Sequence, residues 1–490
     1  MTTGDLYNVL GLSANATPDQ IKAAYFAAAR RFHPDSNPNP GASDEFKVVA
    51  DAYAILSDPT QRSAYDAAVL QTGSGPLLAV HPIFSRQPLP AINEPQVLYA
   101  LIEIQPSILT ELPDPPINLC LVVDRSTSMQ GTRLDQVKAA VSQVIDSLRE
   151  SDTFSVVAFS DHAEVVVSGQ RSQADRTHSK AKVSTINAHG GTEILQGLLC
   201  GLTELHHNLS PAAVNHLLLL TDGRTYGDED DCLMLAKLAA SDGIAISGLG
   251  IGNEWNDRFL DELTGRTGGT ASYIGNAQEV ADFIQDRVRG LGSAYAERLN
   301  VQLTLDPQME LASVFKVSPE AGPVPIEQPL RLGSLPKRQP ASILFKFRLP
   351  PLSPGQQNIA RLSFFADVVS LGRRGERLVV DLSLPVVKNP PTANPPQSIV
   401  DALSKLSHYQ MQERAWQQAA AGDLVGAAER LKTLGTRLLA GGQPELARLA
   451  LTEASRLEKT QVLSEESKKQ IKYGTRALLE APALAATRAK

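Results

Sequence analysis

Three cysteines in 490 residues, Cys120, Cys200 and Cys232, are too few and too oddly counted for a disulfide framework, and no Cys-x-x-Cys pair offers a zinc site. They read as small buried side chains in a reducing compartment. The opening MTTGDLYNVL lacks the charged and apolar regions of a signal peptide, and no apolar run is long enough to span a bilayer. These absences predict a cytoplasmic protein with no membrane partner. Positive charge is also short: the formal net charge of −7 removes the basic surface that general nucleic-acid binding needs. No Gly-x-x-x-x-Gly-Lys-Ser/Thr phosphate loop is present, and Ser126 and Ser128 lack a histidine partner for a nucleophile arrangement, so enzyme chemistry is not expected.

What remains is ordinary globular composition, 42% apolar and 20% charged, in a chain too long for one core. Residues 5–68 read as short helices. Thr17 is a natural N-cap with Pro18 in the first turn, and Ile21, Tyr25, Ala28 and Phe32 follow at helical spacing. Pro34 stops that helix. A second long helix carries Phe46, Val49, Tyr53 and Leu56 on one face, so the two helices present His33-Pro34-Asp35 at a tip. Residues 69–80 read as a linker.

Period-two alternation at Leu98, Ala100, Ile102 and Ile104 returns at Val301, Leu303 and Leu305, at Ile343, Phe345 and Phe347, and at Leu378, Val380, Leu382 and Leu384. This predicts an antiparallel β-sandwich built from 81–116 and 292–388. Between the flanks, 117–291 alternates strands with helices, the mark of a doubly wound, Rossmann-like α/β sheet inserted in the sandwich. Strands are expected at 117–123, 154–159, 163–167, 216–221, 244–250 and 271–274. Helices are expected at 132–149, 193–206, 228–241, 256–266 and 277–291. A Pro-rich linker at 389–397 leads to α-helical hairpins over 398–482.

Three strand ends in the α/β segment carry oxygen ligands: Asp124, Ser126 and Ser128 after INLCLVV, Thr192 in HGGTE, and Asp222 in HLLLLTDG. Loops at the carboxyl ends of such strands converge on one crevice, so these five residues can meet. Hard oxygen donors suit Mg²⁺, with Mn²⁺ or Ca²⁺ as alternatives, and not zinc. An ion held mainly by neutral hydroxyls stays electron-poor and takes a carboxylate from a protein partner. Asp161, Asp228 and Asp230 read as solvated turn and helix-start carboxylates.

The Asp-x-Ser-x-Ser, Thr and Asp pattern resembles the metal-ion-dependent adhesion site of a von Willebrand factor A domain, matching at Asp124, Ser126, Ser128, Thr192 and Asp222. DLYNVLGL, IKAAYFAAARRFHPD and FKVVADAYAILSDPTQRSAYD resemble a J domain of the DnaJ type. That resemblance implies docking on a DnaK-type chaperone and stimulation of its ATPase, through His33, Pro34 and Asp35 and the basic residues Lys22, Arg30 and Arg31. The chain departs from the J-domain pattern where Phe26 and Ala27 occupy positions that are often basic and Ser36 replaces a common lysine. Fewer charges imply weaker steering. Two roles follow: an adaptor bringing a chaperone to a protein held through the metal, or a structural subunit that docks into a larger assembly through the same site, for example beside a AAA+ ATPase.

Overall fold

The computed structural model describes residues 6–477 apart from 13–15, 34–36, 38–40, 73–76, 108–111, 172–174, 226, 276–278, 320 and 392. The chain begins with helices α1 (Leu6–Val9), α2 (Pro18–Phe32), α3 (Ala42–Leu56) and α4 (Pro59–Thr72). Thr17 caps α2 in a reciprocal box: its Oγ1 accepts from the Gln20 amide at 3.3 Å while its own amide donates to Gln20 Oε1 at 2.7 Å. The predicted stripe is buried through Ile21, Ala28 and Phe32, which pack on Val49, Ala52 and Leu56 of α3. The stretch expected as a linker is shorter than 69–80: α4 runs to Thr72, and strand β1 (Leu78–Phe84) begins before residue 81. Short β2 (Leu89–Pro90) and β3 (Gln96–Pro106) follow.

The α/β segment then forms β4 (Ile117–Asp124), α5 (Thr132–Ser147), β5 (Thr153–Phe159), β6 (Ala163–Arg171), α6 (Arg176–Ser184), α7 (Ile194–His207), β7 (Val214–Thr221), α8 (Glu229–Ser241), β8 (Ile244–Ile251), α9 (Asp257–Gly265), β9 (Ala271–Ile274) and α10 (Val280–Gly292). Its sheet has the order β6-β5-β4-β7-β8-β9, parallel except for the antiparallel edge strand β6. Every residue of β4 is buried because helices cover both faces, which is why its sequence is a continuous apolar run. Strand order reverses beside β4: β5 lies on one side and β7 on the other. That reversal opens a crevice at the strands' carboxyl ends. Sequence reading missed α6, whose surface is largely polar and whose buried side is limited to Ser179 and Val183.

The chain returns to the sandwich with β10 (Ala294–Leu305), β11 (Glu310–Ser318), β12 (Gly322–Val324), β13 (Leu330–Pro336), β14 (Ala341–Leu349), β15 (Gly355–Val368) and β16 (Arg373–Val387). Two sheets, β1-β3-β14-β11-β12 and β13-β10-β15-β16-β2, close on one core. Strand β3 pairs with β14, Ile102 facing Ile343, so the flanks on either side of the α/β segment form one sheet. The alternating residues Val301, Leu303, Ile343, Phe345, Phe347, Leu382 and Leu384 face inward.

The last helices are α11 (Gln397–Ala420), α12 (Leu424–Ala440), α13 (Pro444–Thr460) and α14 (Glu465–Ala477). They break at Gly422-Asp423, Gly441-Gly442 and Ser464. The chain divides into two compact units: Met1–Leu112 with Tyr295–Pro319 and Pro323–Ala402, and Pro113–Ala294 with Glu320–Gly322 and Leu403–Lys490. Within the second, α14 lies on α9 of the α/β segment. Arg476 grips Asp261 with two nitrogens at 2.7 and 2.9 Å, and Lys472 pairs with both Asp257 and Asp261. The fully buried Lys469 donates to the carbonyls of Asn253 and Trp255 at 2.6 and 2.7 Å, with its ammonium over the Trp255 ring. Burial pushes its pKa down to about 8. No described helix is long and apolar enough to cross a membrane.

Candidate metal centre and J-domain tip

Asp124 ends β4, and the register Val123↔Leu220 places it opposite Thr221 at the end of β7. Asp124 Oδ2 accepts from Thr221 Oγ1 at 2.6 Å, and its Oδ1 accepts from the Ser126 amide at 2.8 Å. Ser126 Oγ and Ser128 Oγ stand 3.0 Å apart, and Ser128 Oγ donates to Asp222 Oδ1 at 2.6 Å. Thr192 completes the group from the Gly-rich loop. A Cβ at Gly223, the residue after Asp222, would stand 2.7 Å from Thr192 Oγ1. Ser126 and Ser128 therefore join Asp124 to Asp222 in one hydrogen-bonded chain, with Thr192 against the strand end that carries Asp222.

The Gly-rich loop is fixed on both sides. Thr127 donates to Gly190 O through its amide at 3.1 Å and its hydroxyl at 3.0 Å. The Gly191 amide donates to Asp161 Oδ1 at 2.8 Å. Gly190 has φ +78°, in the left-handed region where glycine is favoured. Asp228 accepts from Thr225 Oγ1 at 2.5 Å and from the Leu195 amide at 3.2 Å. Asp230 is exposed in the first turn of α8 and Asp161 in its turn, as the sequence suggested, while Asp228 is half-buried at the α8 N-cap; Asp161 and Asp228 do more than face solvent. They brace the loop that presents Thr192, a role legible only once the loops are folded together.

The donor set suits a hard divalent cation. Among the described residues no group of three or more His, Cys, Asp or Glu stands together, so the donors here are two carboxylates and neighbouring hydroxyls. Asp124 is completely buried and, among the described residues, is met by hydroxyl and amide donors but by no ion pair. Burial pushes its carboxyl up to about 6, and neighbouring Asp222 adds to the shift. A buried carboxylate next to another, lined by three hydroxyls, is the arrangement that a bound cation relieves. Sequence reasoning missed two further residues of the site. Thr221 could have been found as the strand residue just before Asp222. Arg133, in the first turn of α5, donates to Asp222 Oδ2 at 2.8 Å and carries no motif.

At the other tip, His33 ends α2 with its amide on Ala29 O at 2.9 Å and its ring edge-on to Phe46 at 5.2 Å. The Asn37 amide donates to His33 O, and its side chain donates to Arg31 O, both at 2.9 Å. Pro34 and Asp35 lie outside the described residues. Lys22, Phe26 and Arg30 are exposed at four-residue spacing on α2. Arg31 is not a solvent-facing cation like these: its Nη1 donates to Asp381 Oδ1 on β16 at 2.9 Å. Arg361 of β15 grips the same carboxylate at 2.9 and 2.7 Å, stacks on Phe32, and donates to Val9 O at 3.2 Å. Beside it, Glu45 of α3 is buried between Ser363 Oγ at 2.7 Å and Arg377 at 2.8 Å. The helical module is therefore seated on the sandwich through the buried Glu45–Arg377 pair and the partly exposed cluster of Arg31, Arg361 and Asp381.

The von Willebrand factor type A domain family matches residues 118–286, the DnaJ domain family matches 5–66, and the Sll0103-like C-terminal alpha-helical domain matches 397–481. A Synechocystis sp. protein, "Uncharacterized protein sll0103", is 32% identical over 379 residues, 75% of this chain and 89% of that protein. "Chaperone protein DnaJ" of Methanosarcina thermophila is 52% identical over 65 residues, 13% of this chain and only 17% of that protein. Among solved structures, a von Willebrand factor type A protein from Catenulispora acidiphila has TM-score 0.68 at 16% identity, covering 82% of this chain and 97% of its own. The ArnB paralog VWA2 from Sulfolobus acidocaldarius has TM-score 0.54 at 13% identity, covering 83% and 100%. These two likenesses establish the fold.

Proposed function

We propose, for a chain that belongs to the family of the Synechocystis protein sll0103 and carries a J domain ahead of its von Willebrand A domain, the role of a non-enzymatic adaptor in the cytoplasm. The von Willebrand A domain holds a protein partner through a divalent cation, Mg²⁺ first among candidates. The J domain brings a DnaK-type chaperone to that partner and stimulates its ATPase. One observation carries the reading: Asp124, Ser126, Ser128, Thr192 and Asp222 come together at the sheet's switch point, and buried Asp124 has no ion-pair partner among the described residues.

Ser126, Ser128 and Thr192 would hold the ion with their hydroxyls, and Asp124 and Asp222 would hold it by charge. The ion would supply a Lewis-acidic position for a carboxylate from outside. Thr221 and the Ser126 amide keep Asp124 oriented, and Asp161 and Asp228 keep the Thr192 loop in place. On the J domain, His33 and the exposed Lys22 and Arg30 supply the chaperone contact, together with Pro34 and Asp35.

The test separates the two halves. Asp124→Ala is expected to abolish divalent-dependent capture of protein from lysate while leaving chaperone ATPase stimulation intact, and His33→Gln to do the reverse. Capture unchanged in EDTA refutes the metal contact. A second reading, a fixed subunit of a larger assembly with a restrained J domain, is favoured by the engagement of Arg31 with Asp381. A stable stoichiometric complex on sedimentation, with no ATPase stimulation, selects it.

A further inference from the structure

Arg133 reaches into the metal centre from its rim. Its side chain is 40% exposed, while that of Asp222, which it pairs with, is fully buried. Nη1 lies 2.8 Å from Asp222 Oδ2 and 3.3 Å from Ser128 O. Nη2 runs along the loop between β8 and α9, where a Cβ at Gly252 would stand 3.2 Å from it. The guanidinium therefore touches two of the loops that build the crevice and lies against a third. Asp124 is 0% exposed and has no such cation among the described residues.

We infer that Arg133 sets both how weakly this site holds a divalent cation and how strongly the loaded site then demands an acidic ligand. The inference rests on the metal reading above and deepens it. Asp124 and Asp222 together bring two negative charges, and Arg133 cancels one of them. A divalent ion in a site of charge −2 leaves a neutral centre; in this site it leaves a net positive one. Repulsion between the guanidinium and the ion weakens uptake, since charges a few ångströms apart in a protected crevice are poorly screened. The same surplus favours a carboxylate as the final ligand, and a guanidinium at the rim is the group best shaped to share that carboxylate with the ion. The partner chemistry that fits is an aspartate or glutamate side chain exposed on a protein.

The test is calorimetric titration of the full chain with Mn²⁺, comparing wild type, Arg133→Gln, Arg133→Lys and Asp124→Ala, each first checked by thermal melt for folding. Arg133→Gln is expected to hold Mn²⁺ roughly tenfold more tightly than wild type. Arg133→Lys, which keeps the charge, is expected to stay near wild type, and Asp124→Ala to lose uptake. Equal or weaker affinity in Arg133→Gln overturns the role of Arg133 and leaves the metal site standing. No uptake by either wild type or Arg133→Gln overturns the metal reading and this inference with it.

Discussion

Arg31 of the J domain donates to Asp381 of the β-sandwich at 2.9 Å, so a cation expected to face a chaperone is held within the chain. Burial pushes the Asp381 carboxyl up, but Arg361 and Arg31 overcome it and hold it below its ordinary value. With both arginines on one carboxylate, Asp381→Asn would leave two adjacent cations without their counter-charge. The substitution is expected to loosen α2 and α3 from β15 and β16, read as faster amide exchange over residues 18–56 with exchange over 341–349 unchanged. On the proposed chaperone role it also raises stimulation of a DnaK-type ATPase, because Arg31 becomes available. Unchanged exchange would show that the seat does not depend on this carboxylate.

Gly250 on β8 lies against Trp255, and a Cβ there would stand only 1.9 Å from the indole Cε2. Trp255 is buried, donates its Nε1–H to Gly252 O at 2.8 Å, and packs on Tyr473 of α14. Gly250→Ala is therefore expected to displace the indole and cost about 1–3 kcal/mol or more by overpacking. Both tryptophans of the chain, Trp255 and Trp416, lie in the same compact unit, so a red-shifted emission and an earlier urea midpoint report that unit.

Asp257 supplies a pH dependence to the α9–α14 contact. Burial pushes its carboxyl up, yet Lys472 and Lys468 prevail and hold it at about 2, below its ordinary value of 3.8. A carboxyl with a depressed folded-state pKa stabilises fully above its unfolded value and loses that contribution as pH falls through the folded one. Tryptophan-monitored urea melts are expected to weaken between about pH 4 and pH 2 in the wild type. Asp257→Asn should be less stable at pH 7 and flatter across that range; parallel curves would rule out the contribution.

Glu297 on β10 behaves in the opposite sense. Burial pushes its carboxyl up to about 8, and its Oε1 has no hydrogen-bond partner among the described residues. The folded chain keeps this proton after the unfolded chain has released it, so stability falls as pH rises from about 4.5 toward 8. Glu297→Gln keeps the shape without the ionisation. Scanning calorimetry is expected to show it melting a few degrees above wild type at pH 8 and close to it at pH 4.5, where each kcal/mol moves the melting temperature by about 2–4 °C.

Much of this was legible in the chain because it was written in local pattern. A run of large apolar residues before Asp124 can only be a strand buried on both faces, and alternation at Ile343, Phe345 and Phe347 can only be a sheet with one face inward. The five candidate oxygen ligands were legible for the same reason, since Asp124 and Asp222 stand at strand ends and Ser126, Ser128 and Thr192 in the short loops that lead into helices. Helix α6 was not, because a polar segment with two buried residues carries too faint a period.

By itself the sequence determined most of the elements, their order, and the five oxygen-bearing residues of the candidate metal centre, since periodicity and motif spacing are properties of the chain alone. Only the tertiary structure decided the charges: that Arg133 reaches Asp222, that Asp161 and Asp228 brace the Thr192 loop, that Arg31 faces Asp381, and that Lys472 and Arg476 close on Asp257 and Asp261. Charged partners 89 or 350 positions apart leave no mark on local pattern. They are chosen by which loop ends and sheet faces the packed core brings within a few ångströms, and burial then makes each pairing strong enough to matter.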